Sequence, residues 1–201
     1  MSELADIVNY IVTSLIGVFT LLVLLRFVFQ WVKADFYNPI SQGVVKATTP
    51  VLKPFRRIIP GFAGLDIAAL VVVILLNMLS IVITILLAGK SFVEYLPFIA
   101  IIGALKLIAS LINIASFCML GSIILSFVAP MSSHPAAMLL TQVAEPIFAP
   151  FRKLMPDMGG IDLSPIFAFL LLGVLTKVLT IIAGQFGIPV DSIWFFVFIG
   201  V

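Results

Sequence analysis

An arginine and an aspartate stand ten residues apart twice in this chain, as Arg56 with Asp66 and as Arg152 with Asp162. A guanidinium fork takes a carboxylate through charge-assisted hydrogen bonds, so each pair reads as a clasp, closed within one copy or across to the other. Each aspartate follows a Gly-x step, at Gly64 or Gly160, and precedes an apolar run. Glycine permits a sharp turn there, and a carboxylate at the start of a helix accepts free backbone donors while facing the positive end of the dipole. The aspartates are thus expected to cap the helices that follow.

Other groups offer less. Pro54 and Pro150 each follow a proline by four residues, Pro50 and Pro146, and cannot donate to its carbonyl. Two such freed carbonyls could coordinate a cation, as in broken transporter helices, or mark a kink wetted by interfacial water. Neighbouring Lys53 and Arg57 favour the wetted kink, because they repel a cation. Pro50 and Pro146 suit helix starts, behind Thr49 and Glu145. Three charges fall in apolar runs: Arg26 and Lys106, close enough to their helix ends to snorkel, and Lys177, about two-thirds along its run; Arg26 and Lys177 are the candidates for an intramembrane polar site. His134, the one histidine, precedes Pro135 and reads as a turn or cap residue. Ser132 and Ser133 beside it have no acidic third member at a recognisable spacing. No Cys-x-x-Cys-His, paired histidines at helical spacing or glycine-rich phosphate loop is present. The expectation is a protein without catalytic, cofactor-binding or metal residues, and not an enzyme.

The elements that must position these residues are set by composition. Of 201 residues, 63% are hydrophobic and 10% charged, with a mean hydropathy of +1.32. Four apolar runs, about 7–31, 67–87, 104–128 and 163–183, are long enough as helices to cross about 30 Å of hydrocarbon. They are continuous rather than alternating, which excludes barrel strands. Acidic Glu3 and Asp6 ahead of a full-length first run predict a retained helix rather than a cleaved signal. Cys118, the one cysteine, lies in the third run and reads as a small buried residue. Asn77 and Asn113 are expected to hydrogen-bond between helices, and Gly17, Gly103, Gly121, Gly173 and Gly184 to permit close helix approach.

Shifting the chain by 96 residues lays Pro50, Pro54, Phe55, Arg56, Pro60, Gly64 and Asp66 on Pro146, Pro150, Phe151, Arg152, Pro156, Gly160 and Asp162 without a gap. The fold expected is an all-α integral membrane protein of two parallel tandem repeats, each two transmembrane helices joined by a proline-rich amphipathic hairpin. The first repeat, 1–95, has its hairpin at 32–66. The second, 96–201, has its hairpin at 129–162 and a C-terminal apolar tail. With two spans per copy, both enter the membrane in one sense, about a pseudo-two-fold axis along its normal. Residues 92–103 are apolar but too short to span alone, and extend the third helix or dip into the interface.

The doubled P-x3-P-F-R-x3-P-x3-G-x-D motif, leading each time into an apolar run, resembles the YggT family, also called YlmG, over nearly the whole chain. The copies differ. Ser164 and Pro165 after Asp162 follow the family preference, where the first copy has Ala68 and Ala69; Arg26 and Trp31 resemble the family's R-x4-W, where the second has Ser122 and Phe127. The resemblance implies a small bacterial or plastid membrane protein variously associated with osmotic and potassium tolerance, cytochrome assembly or division, and implies no reaction.

Lys33, Lys46, Lys53, Arg56 and Arg57 lie in the first hairpin and Arg152 and Lys153 in the second, while the other side is poor in cations. The positive-inside rule predicts cytoplasmic hairpins and external termini in a bacterial inner membrane. The hairpins' cations can rest on anionic headgroups of the bilayer, their aliphatic residues beneath. The basic cluster is too small and interrupted for nucleic acid. Two functions follow: a scaffold or assembly protein that holds membrane-protein partners or itself, and an ion-flux or potassium and osmotic-stress protein. Few polar residues in the spans favour the scaffold.

Overall fold

The computed structural model describes residues 3–62, 64–130, 132–154 and 162–186. These form six α-helices: α1 (Glu3–Trp31), α2 (Pro39–Ile58), α3 (Ile67–Leu87), α4 (Leu96–Val128), α5 (Pro135–Leu154) and α6 (Ser164–Gln185). Helices α1, α3, α4 and α6 are long and apolar enough to cross a membrane. An unbroken run of Leu, Ile, Val and Ala leaves a helix as the one local conformation that satisfies all its backbone groups without water. Leu15, Leu75, Leu170 and Val174 are exposed on the outside of the bundle. That is the arrangement of a membrane protein, whose outer face meets lipid tails as apolar as its core.

A short 3-10 turn, Phe92–Tyr95, leads into α4. Its 33 residues would measure about 50 Å against about 30 Å of hydrocarbon, so residues 96–103 lengthen the third long helix instead of forming a span. One buried cluster joins Val23, Leu24, Leu52, Val72 and Val73 of the first repeat to Leu107, Ile114 and Cys118 of α4 and Val143 of α5. A second joins Leu105, Ala109 and Met119 of α4 to Ala144, Phe148, Ala168 and Leu172. Helix α4 thus serves both cores, and Cys118 is buried as its small size suggested.

Both repeats run in the same sense, but the pseudo-two-fold does not close. Helix α3 packs on α4, whereas no contact joins α6 to α1 among the described residues. The cause is connectivity: a short link after Leu87 forces α3 and α4 into antiparallel contact, and α6 and α1 have no such link. Asn77 Nδ2 donates to the Gly103 carbonyl at 3.2 Å across this junction. A Cβ at Gly103 would lie 3.1 Å from Met78 Cγ and 3.3 Å from the Ile74 carbonyl oxygen, so glycine sets the approach of the two helices.

The expected helix starts at Pro50 and Pro146 are not observed. Both prolines, with Pro54 and Pro150, lie inside continuous helices that start at Pro39 and Pro135. Pro39 takes the first-turn place that needs no N–H, and Asn38 Oδ1 caps α2 by accepting from Ile40 N at 2.9 Å. His134 does the same for α5, its Nδ1 accepting from Ala136 N at 3.2 Å. Thr49 and Glu145 are therefore mid-helix. The internal prolines survive because all four are exposed, with their disrupted turns on the outer side of each helix.

Candidate functional site

Both Arg–Asp pairs close, each within its own repeat. The last turn of α2 carries Arg56 back over the turn at Gly64, which takes φ +79°, a conformation glycine adopts without strain. Phe62 and Leu65 exchange backbone hydrogen bonds of 3.1 and 2.9 Å across that turn. Arg56 Nε donates to Asp66 Oδ2 at 3.1 Å, and Nη2 makes a second, short bond to the same oxygen. Asp66 Oδ1 accepts from Ala69 N at 3.3 Å and caps α3, so one buried carboxylate holds both the clasp and the helix start. Gln30 of α1 pins the turn from the other side, Nε2 donating to the Gly64 carbonyl at 2.8 Å.

The second clasp is more open. Arg152 Nε donates to Asp162 Oδ2 at 2.7 Å, and Nη1 to Glu145 Oε1 at 2.6 Å, with all three side chains exposed. Asp162 Oδ1 accepts from Ser164 N, the first residue of α6, at 2.9 Å. Burial acts to raise the Asp162 pKa, but hydrogen bonding from Ser164 and Arg152 and the Arg152 charge outweigh it, so the carboxyl sits below its ordinary value. Burial likewise acts to lower the Arg152 pKa and is outweighed by hydrogen bonds to Asp162 and Glu145, which raise it. The partnership of Glu145 with Arg152, seven residues on, was not read from the sequence, though two helical turns separate the pair. Pro156 and Gly160 of the motif lie outside the described residues. Phe55 and Phe151 are half-buried and pack on the two cores, and Pro60 closes the end of α2.

Arg26 does not snorkel. It is 9% exposed and reaches sideways under α2, where Nη1 donates to Thr48 Oγ1 at 2.9 Å, Thr49 Oγ1 at 3.0 Å and the Val45 carbonyl at 3.2 Å. The two hydroxyls spend their own protons inside the helix, Thr48 on the Val44 carbonyl at 2.7 Å and Thr49 on that of Val45 at 2.5 Å. Their lone pairs remain for Arg26. Nothing in the sequence links Arg26 to threonines 22 and 23 positions away; only the return of α2 over α1 does. Lys177 lies on the exposed face of α6 and does not enter the bundle, so no intramembrane site pairs it with Arg26. Asn113 Nδ2 is buried without a hydrogen-bond partner.

Helices α2 and α5 are tied to each other directly. Asn38 Nδ2 donates to the Pro135 carbonyl at 2.8 Å, and Asp35 N donates to Gln142 Oε1 at 3.1 Å. Both clasps consequently face one end of the bundle. Between α1, α2 and the turn at Gly64 lies a cleft of about 530 Å³, lined by Arg26, Gln30, Ser41, Arg56 and Asp66. No three His, Cys, Asp or Glu side chains gather as metal ligands among the described residues.

The family described as CCB3/YggT matches this chain twice, over residues 5–87 and 101–183. An uncharacterised protein of Pseudomonas aeruginosa is 44% identical over 181 residues, 90% of this chain and 92% of that protein. An Escherichia coli protein named uncharacterised protein YggT is 37% identical over 167 residues, 83% of this chain and 86% of its own length. A Vibrio alginolyticus protein is 36% identical over 162 residues, 81% of this chain and 87% of its own. No solved structure matches.

Proposed function

The chain belongs to the CCB3/YggT family, and we propose that it is a non-enzymatic organising protein of the bacterial inner membrane, acting through two amphipathic hairpin helices at the cytoplasmic surface. The observation that carries this reading is the coupling of α2 and α5. They are bonded side by side through Asn38–Pro135 and Asp35–Gln142, and each is latched by an arginine clasp to the start of the next long helix. Such a pair is a rigid platform. Val44, Leu52, Val143 and Phe148 point inward, while Lys46, Lys53, Arg57 and Lys153 are exposed, each cation contributing about 1 kcal/mol on an anionic leaflet. The cation bias supports a cytoplasmic platform with the termini outside. Its partners are other membrane proteins or further copies of itself.

Ion conduction has less support, because Lys177 faces outward and Asn77 is used in the α3–α4 contact. The test joins crosslinking in native membrane, with photoreactive residues on the outer faces of α2 and α5, to flux measurements in liposomes containing only this protein. Discrete crosslinked partners or oligomers without flux support the platform. Selective cation flux from the purified protein would overturn it.

A further inference from the structure

Arg26 carries a charge that its protein surroundings do not neutralise. Its three hydrogen bonds go from Nη1 to neutral oxygens, and no hydrogen bond engages Nε or Nη2 among the described residues. Removing a guanidinium from water is costly unless an anion compensates it. Asp66 does not do so by contact, because its Oδ2 is held by Arg56 and its Oδ1 by the start of α3. Ser41, on the same cleft, is 5% exposed, and its Oγ has no hydrogen-bond partner. A buried hydroxyl without a partner calls for one. Arg56 lines the cleft as well, so two guanidiniums face one carboxylate there and one positive charge is left over.

The second repeat serves as an internal control. A shift of 96 residues replaces Arg26 by Ser122, Ser41 by Ala137 and Thr49 by Glu145. The charge and the hydroxyl are lost together, and a carboxylate appears that engages Arg152. Both clasps remain, so neither Arg26 nor Ser41 is needed to make one.

We propose that the cleft between α1, α2 and the Gly64 turn is a binding site for one phosphate-bearing anion, held by the Arg26 and Arg56 guanidiniums and the Ser41 hydroxyl. Planar, forked N–H donors suit phosphate oxygens, and a serine hydroxyl completes the set. The site lies at the end of α1 beside the surface helix, at the level where phospholipid phosphates sit if α1 spans. A lipid headgroup and a free phosphate share this chemistry. The site does not depend on the organising role proposed above and would exist in a conducting protein equally.

The test uses the full chain purified in detergent and delipidated, with binding read by native mass spectrometry and thermal shift. The probes are short-chain phosphatidylglycerol, inorganic phosphate, and diacylglycerol of the same chain length, which lacks the phosphate. One equivalent of phosphatidylglycerol should bind, weakened at least about tenfold in Arg26→Gln, the scale of a lost charge-assisted bond, and severalfold in Ser41→Ala. The serine variant copies the second repeat and should fold normally, so it remains informative if Arg26→Gln does not fold. Inorganic phosphate binding with the same two sensitivities, without added affinity from the lipid, supports the site with free phosphate as its occupant. Diacylglycerol binding as well as phosphatidylglycerol, no one-to-one binding of either phosphate probe, or binding unchanged in Ser41→Ala overturns the proposal.

Discussion

Glu145 Oε1 and Arg152 Nη1 stand 2.6 Å apart along α5, and Glu145 occupies the place that Thr49 takes in the first repeat. The two clasps are therefore built alike and surrounded differently. Asp66 is 5% exposed and Asp162 42%, and this difference decides what each clasp is worth. Asp66 is buried although Arg56 is 38% exposed, so altering this carboxylate disturbs hydrogen bonds that water cannot readily replace, whereas an exposed pair is replaced by water. Asp66→Asn should destabilise the protein by about 1–3 kcal/mol and Asp162→Asn by less than about 1 kcal/mol, measured by denaturant titration in mixed micelles. Equal costs would show that burial does not set the hierarchy.

Acid should open the second clasp in a defined direction. The folded Asp162 carboxyl lies below its ordinary value, which is about 3.9 in an unfolded chain. Its contribution is therefore fully present above that value and is lost as pH falls through the lower, folded one. The Ser164 amide, which donates to Asp162 Oδ1, reports the loss locally. Its hydrogen exchange, corrected for the intrinsic pH dependence, should lose protection below the ordinary carboxylate range, and Asp162→Asn should remove that step. A step that survives the substitution would assign it to another group.

The helix junction makes a steric prediction. A Cβ at Gly103 meets the Ile74 backbone oxygen as well as Met78, so α3 and α4 must separate to admit it, while a Cβ at Gly173 meets nothing within 4 Å. Gly103→Ala should cost about 1–3 kcal/mol and lower the melting temperature. Gly173→Ala should be neutral or slightly stabilising, since alanine is the better helix former. A neutral Gly103→Ala would mean that the junction is slack.

Lys177→Leu should change stability by less than about 0.5 kcal/mol and leave membrane insertion intact, because the side chain is on the outer face of α6. Insertion is read from membrane fractionation. Loss of the folded protein would place Lys177 in a contact that the bundle alone does not make.

The repeat, the four long helices and both clasps were legible in the sequence because each is local or periodic. Arg56 and Asp66 are ten residues apart, and a single turn at Gly64 brings them together. What was misread depended on competition or on tertiary return. Pro50 is a plausible helix start until Asn38 and Pro39 are seen to offer a better one eleven residues earlier, with a side-chain cap as well. Arg26 is near enough to a helix end to snorkel, and only the packing of α2 over α1 supplies Thr48 and Thr49 instead. The open junction was hidden because an ungapped repeat carries no record of which helices the connecting turn forces together.

Asn38 joins the two repeats while capping one of them, and its two functions can be separated. Its Oδ1 accepts from Ile40 N at 2.9 Å and its Nδ2 donates to the Pro135 carbonyl at 2.8 Å. Asn38→Asp keeps the acceptor and adds a charge that suits a helix N-terminus, but it has no N–H to give Pro135. Asn38→Ala loses both bonds. Alanine should therefore cost about 1–2 kcal/mol more than aspartate in the stability of α2, read by hydrogen exchange of the Ile40 and Ser41 amides. Both should loosen the contact between α2 and α5, read as a lower yield of disulfide between cysteines introduced on the facing sides of the two helices. Gln142→Ala, which removes the acceptor of the Asp35 amide, tests whether the two ties act together. If they share one interface, combining it with Asn38→Asp should lower the crosslinking yield more than the single effects predict. If Asn38→Asp leaves the crosslinking yield at the wild-type level, the Pro135 bond is not what holds α2 against α5, and the rigid platform proposed for the surface helices loses its main support.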